Sequence, residues 1–166
     1  MDTEYIRIAI TFADATIGIM SFVTNSPRDG WTREANKEEI EKEIAKSSVS
    51  FDKEKLPIKN WRIIKEKDIP KDRTFRNAWV DDGKITHDMV KVREIHLDHI
   101  REARIPLLAQ KDKEWMRATG QDNTQEAEKI EAERQALRDI PQTIMPDLEK
   151  AKTPEEVKII GMEKLK

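Results

Sequence analysis

The fold turns on Tyr5-Ile6-Arg7-Ile8-Ala9-Ile10-Thr11-Phe12 and, after Ala13-Asp14-Ala15, on Ile17-Gly18-Ile19-Met20-Ser21-Phe22-Val23. Ile6, Ile8, Ile10 and Phe12 alternate with Tyr5, Arg7, Ala9 and Thr11. Successive side chains of a strand point to opposite faces, so the alternation puts the larger apolar groups on one side of a half-buried strand. Ala13-Asp14-Ala15 supplies a short turn, and residues 16–23 offer a second apolar run. A β-hairpin is the reading.

Working outward, residues 25–30 carry proline and glycine and read as a loop, with Trp31 packing the edge of the sheet. Asn36 with Glu39 three residues later is a capping-box pattern that opens a helix. Ile40 and Ile44 share one face of it, and Ser47-Ser48 end the run. A further strand covers residues 58–65, carrying Trp61, Ile63 and Ile64, although it does not alternate cleanly. Residues 1–70 therefore read as a small ββαβ domain.

Residues 71–88 read as a connector, with Asp82-Gly83 as a hairpin-type turn between Trp79-Val80 and Lys84-Ile85. Asp88 then caps a long helix reaching about Ala118, with Met89, Val92, His96, Ile100, Ala103, Leu107 and Ala118 on one stripe. Pro106 lacks the donor for the carbonyl of Glu102, which predicts a kink or an interruption. Asn123 and Glu126 repeat the capping pattern, opening a helix to about Asp139 with Ala127, Ile130 and Leu137 on one side. Ile140-Pro141 ends it, and Thr153-Pro154 starts a short terminal helix with a cap and a first-turn proline. A short connection favours antiparallel neighbours, so residues 89–166 form a helical region built on a hairpin. The fold class is α+β: a small N-terminal antiparallel sheet, then a helical hairpin and a short terminal helix.

Apolar residues make up 37% of the 166-residue chain and charged residues 39%, against roughly 45–50% and about 25% in ordinary domains. Much of the surface is therefore solvated helix face or subunit contact, and the core is thin. Five glycines are few for a sandwich or barrel full of tight turns. The 31 basic and 33 acidic residues nearly cancel, and no segment has the basic excess of a nucleic-acid binder. With no cysteine, disulfides and thiolate metal sites are excluded. No run reaches the length of a membrane span, and Asp2 and Glu4 replace the basic start of a signal peptide. No nucleic-acid or membrane partner is expected, and the chain is expected to stay where it is made.

His87, His96 and His99 come closest to a metal or acid–base cluster. His96 and His99 lie three apart on a helix, with Asp98 and Glu102 nearby. Zinc needs three or four ligands in a tetrahedral arrangement, and His-x-x-His without an HExxH frame is a weak signal. The preferred reading packs His96 on the apolar stripe and sets His99 at its edge. Lys91, Arg93, Arg101 and Arg104 are interleaved with Glu94, Asp98 and Glu102, a solvated face rather than a phosphate site. No catalytic, cofactor-binding or metal residue is assigned, and no cofactor is expected. Trp115 and Met116 are the candidate partner-binding residues, since tryptophan is enriched at interface hot spots; the competing reading packs Trp115 within the hairpin.

Four segments recur in a telling order: Asp72-Arg73-Thr74-Phe75-Arg76-Asn77-Ala78-Trp79, then Val92-Arg93-Glu94-Ile95-His96 with Arg101-Glu102-Ala103-Arg104, then Leu137-Arg138-Asp139-Ile140-Pro141, and Thr153-Pro154-Glu155-Glu156. Together they resemble small proteins of tailed bacteriophages and prophages encoded among tail and tail-fibre genes. The Leu-Arg-Asp-Ile-Pro ending is similar to that of phage tail assembly chaperones. The resemblance covers roughly residues 68–160. It implies a non-enzymatic tail- or fibre-associated virion component or assembly factor, in the virion or the host cytoplasm. Phage tail or fibre proteins would be its partners, with further copies of itself as another candidate. The alternative is a phage-encoded regulatory or inhibitory module acting on a host protein.

Overall fold

The computed structural model describes residues 4–27, 29–50 and 57–165; the side chains of Trp31 and residues 47–50 lie outside that description. The chain divides into two compact units, Met1–His87 and Asp88–Lys166, and the fold class is α+β.

In the first unit, β1 (Glu4–Phe12) and β2 (Ile17–Ser26) form the expected hairpin. Antiparallel pairing sets Ile8 opposite Met20 and Ala9 opposite Ile19. The second strand runs past Val23, where the sequence suggested a loop from Asn25. Asn25 and Ser26 pair with Thr32 and Trp31 of a two-residue strand, β3 (Trp31–Thr32), which supplies the hydrogen bonds that a loop would have lacked. Backbone pairing puts Trp31 on the sheet edge, but the expected packing of its side chain falls outside the described residues. Helix α1 (Lys37–Ser50) is capped by Asn36, whose side chain accepts from the Glu39 amide at 2.9 Å. It continues through Ser47-Ser48 rather than ending there. Strand β4 (Ile58–Ile64) pairs with β1, giving the order β3-β2-β1-β4.

Both faces of this sheet are covered. On one, Ile8, Ile10 and Phe22 pack against Ile40 and Ile44 of α1. On the other, Ala9 and Ile64 pack with Ile69, Trp79 and Ile85, and Ile17 and Ile19 join them. The half-buried strand of the alternation argument is thus buried twice over, with Ala9 only 1% exposed. The second cover comes from the connector: Phe75, Ala78 and Trp79 are buried. It leads into a two-stranded ribbon of β5 (Trp79–Asp81) and β6 (Ile85–His87), closed by a turn with Gly83 at positive φ. Arg62 of β4 ties the ribbon down through a two-pronged pair with Asp81, at 2.7 and 2.8 Å. Two-sided burial also explains why β4 failed to alternate, since Trp61 and Ile64 serve opposite faces.

The second unit is the hairpin of α2 (Met89–Gly120) and α3 (Thr124–Lys150), followed by α4 (Pro154–Ile159). Asp88, Asn123 and Thr153 each accept an amide in the first turn, as their cap positions require. Pro106 does not interrupt α2. Of the predicted stripe, Val92, His96, Ile100 and Ala118 are buried, but Ala103 is exposed and Met89 and Leu107 are only partly covered.

The larger correction is α3, which was expected to stop near Asp139 and instead passes through Pro141 and Pro146 to Lys150. A proline inside a helix costs about 3 kcal/mol, through a lost donor and a crowded turn. Ile140, Ile144 and Leu148, spaced four apart, are each no more than 3% exposed. Burying such side chains contributes roughly 1.5–3 kcal/mol apiece, which outweighs the cost of Pro141. The missing donor is also replaced. Pro141 cannot serve the carbonyl of Leu137, and Arg104 of α2 donates to that oxygen at 3.4 Å and to the Arg138 carbonyl at 2.5 Å.

Candidate functional site

The hairpin was the expected place for a binding surface, and its internal bonding decides which residues remain outside. Arg93 donates to the carbonyls of Leu148 and Ala151 at 2.7 and 3.0 Å, capping the end of α3. Arg104 reaches Leu137 and Arg138, Lys111 pairs with Glu133 at 2.7 Å, and Asp112 pairs with Arg134. From Arg93 through Arg104 to Lys111 the partners step back from Leu148 through Arg138 to Glu133, so the helices run antiparallel. The basic face over residues 91–104 is therefore partly consumed in carbonyl capping. The sequence contained a cue for this: a helical run of Ile140, Ile144 and Leu148 with a proline inside it needs a substitute donor.

Trp115 and Met116 fall on different surfaces. Trp115 is half-buried, and the Arg134 guanidinium lies over its ring, 5.3 Å from the centroid. Arg134 is held there by Asp112 and Glu131. Met116 is 58% exposed, as is much of Ile105 at 63%. Where Lys164 meets the hairpin, a groove lined by Leu107, Lys111, Leu137, Ile140 and Thr143 opens beside the Leu-Arg-Asp-Ile-Pro segment.

Each histidine is placed by its own surroundings. His87 Nε2 accepts from the Trp79 indole N–H at 3.1 Å. His99 is exposed, and His96 is 2% exposed with Nε2 at 2.8 Å from the carbonyl of Ile160. A carbonyl can only accept, so the neutral ring carries its proton on Nε2. Among the described residues, no three histidine, aspartate or glutamate side chains gather to hold an ion.

Burial holds His96 below the ordinary imidazole value; the Ile160 carbonyl pulls the other way, and His99 adds a further downward push. The folded state therefore binds fewer protons than the unfolded chain as pH falls through about 6.5. His96 contributes its full stability above that pH and loses it below, with a slope of up to about 1.4 kcal/mol per pH unit. Melting temperature measured between pH 7.5 and 5 should fall, and His96→Gln should flatten that fall. An equal slope in the two chains would show that His96 does not titrate on unfolding.

No helix among the described residues is long and apolar enough to cross a membrane. No family model, curated protein or solved structure matches the chain.

Proposed function

We propose that this chain is a structural accessory of a tailed bacteriophage or prophage, a tail- or fibre-associated virion component or assembly factor that acts by binding protein. The observation that carries the reading is the ordered run of four segments, from Asp72–Trp79 through Leu137–Pro141 to Thr153–Glu156. What the geometry adds is support for a binding mode. The hairpin is braced by Arg93 and Arg104, and it presents Ile105 and Met116 to solvent. Met116 and the rim of Trp115 are the residues proposed to meet the partner.

The test is made on the phage or prophage that encodes the chain. The chain should copurify with purified particles, or its deletion should reduce the yield of infectious particles. Absence from particles would leave only the assembly factor. Unchanged assembly and infectivity in the deletion as well would remove both, leaving the regulatory alternative.

A further inference from the structure

The connector holds the sheet with its apolar residues and turns two arginines outward. Its backbone is fixed locally: Asp72 Oδ1 accepts from the Thr74 amide at 2.8 Å and from its hydroxyl at 2.6 Å. The Arg76 amide donates to the Arg73 carbonyl at 3.1 Å, and the Ala78 amide donates to the Phe75 carbonyl at 2.9 Å. With Phe75, Ala78 and Trp79 in the core, Arg73 and Arg76 are left exposed on a rigid segment. Among the described residues, neither guanidinium donates a hydrogen bond or forms an ion pair within contact distance; Arg73 acts only at longer range, helping to lower the Glu66 carboxyl.

Both arginines line a cavity of about 160 Å³ whose apolar wall is Ile17, Ile19, Ile69 and Trp79. Arg7 also lines it, but its guanidinium is already committed to Glu66 at 2.6 Å and to Ser21. No carboxylate is among the described lining residues. The cavity thus joins an apolar wall to two unspent cations. A guanidinium matches a carboxylate in a two-pronged, planar arrangement and is weakly hydrated, so such a pair forms readily at a partly covered site.

We propose that this cavity takes the C-terminal residue of a partner polypeptide, its apolar side chain against Ile17, Ile19, Ile69 and Trp79 and its terminal carboxylate on Arg73 and Arg76. Size selects this ligand. Cofactor and nucleotide sites run to roughly 300–1,000 Å³, whereas a cavity of about 150 Å³ holds a single benzene-sized group. One side chain with an anion on the same α-carbon fits that room. A segment continuing past the site would have to carry a second length of backbone over the same rim. Capture of a chain terminus is a recurrent mode of peptide recognition. The inference rests on the reading that the chain works by binding protein, and it names the ligand class.

The probes are fluorescein-labelled Gly-Ser-Gly-Ser-Leu and Gly-Ser-Gly-Ser-Phe with free carboxylates, read by fluorescence anisotropy on the full chain. Saturable binding at sub-millimolar concentration is expected, with at least a tenfold loss on C-terminal amidation. Arg73→Gln with Arg76→Gln should lose at least tenfold while melting temperature stays unchanged, since neither side chain holds the fold. Leu97→Ala, in the other unit, should bind as the parent does. No saturable binding by the free acids, or equal binding of acids and amides, overturns the proposal. Equal or tighter binding of an amidated peptide bearing an internal glutamate or phosphoserine also overturns it, in favour of an internal acidic segment. Failure here leaves the particle experiment untouched, so loss of the site and loss of the phage reading are distinguishable.

Discussion

Phe22→Ala is expected to lower the stability of the N-terminal unit by about 3–5 kcal/mol, the range for deleting a fully buried aromatic side chain. Phe22 is 0% exposed and stands between Ile8, Ile10, Ile40 and Ile44, joining the sheet to α1. The Arg33 guanidinium lies 3.9 Å from its ring centroid. Arg33 is itself held by the Val23 carbonyl at 2.7 Å and by Glu43 at 3.0 Å. Truncation therefore opens a cavity and removes the ring beneath a positioned cation, the latter worth about 0.5–1 kcal/mol. Small domains have only about 5–15 kcal/mol in total. With a urea dependence near 2 kcal/mol per molar, the midpoint should fall by about 2 M. Tryptophan fluorescence reads it, because Trp61 packs on the same cluster. A shift below about 0.5 M would mean that Phe22 is not the joint between sheet and helix.

Gly161→Ala should cost the C-terminal unit about 2–5 kcal/mol. The residue has φ of 79°, where a β-carbon costs about 1–2 kcal/mol. That carbon would also meet Ile144 Cγ2 at 3.1 Å and Cδ1 at 3.2 Å, with Ile100 Cδ1 at 3.6 Å behind. Ile144 and Ile100 are at most 1% exposed, so neither can yield without disturbing the core. Overpacking of this kind costs a further 1–3 kcal/mol or so. The turn at Gly161 follows directly on the Ile160 carbonyl that accepts the His96 hydrogen bond. That bond raises the imidazole value, so weakening it in the variant should push His96 further below its ordinary value. Gly83→Ala is the control. Its φ is 83°, but nothing lies within 4 Å of the added carbon, so only the backbone cost remains. Thermal unfolding should separate the two substitutions by several degrees. Equal losses would remove the packing argument at Gly161.

Local chemistry was enough for several features. Asn36, Asp88, Asn123 and Thr153 each cap the helix that their residue type announces. A cap needs a side-chain oxygen within three residues of an orphan amide, and both are written in adjacent text. The β1–β2 hairpin was legible for the same reason. The candidate site was less so. Met116 is exposed, but Trp115 lies under Arg134, and that ring–cation contact bridges two helices and nineteen residues of sequence.

By itself, then, the sequence determined the class of the fold, the hairpin and the helix starts, all through interactions spanning a few residues. Tertiary structure alone decided that the Arg7–Ala9–Thr11 side of β1 faces a second cover, and that α3 survives two prolines. In both cases the deciding partner is remote: Trp79 and Ile85 for the sheet, Arg104 for the carbonyl that Pro141 leaves unserved. A proline's local penalty of about 3 kcal/mol is fixed by its own ring. Whether it breaks the helix depends on buried area and on donors that only the folded chain brings within reach.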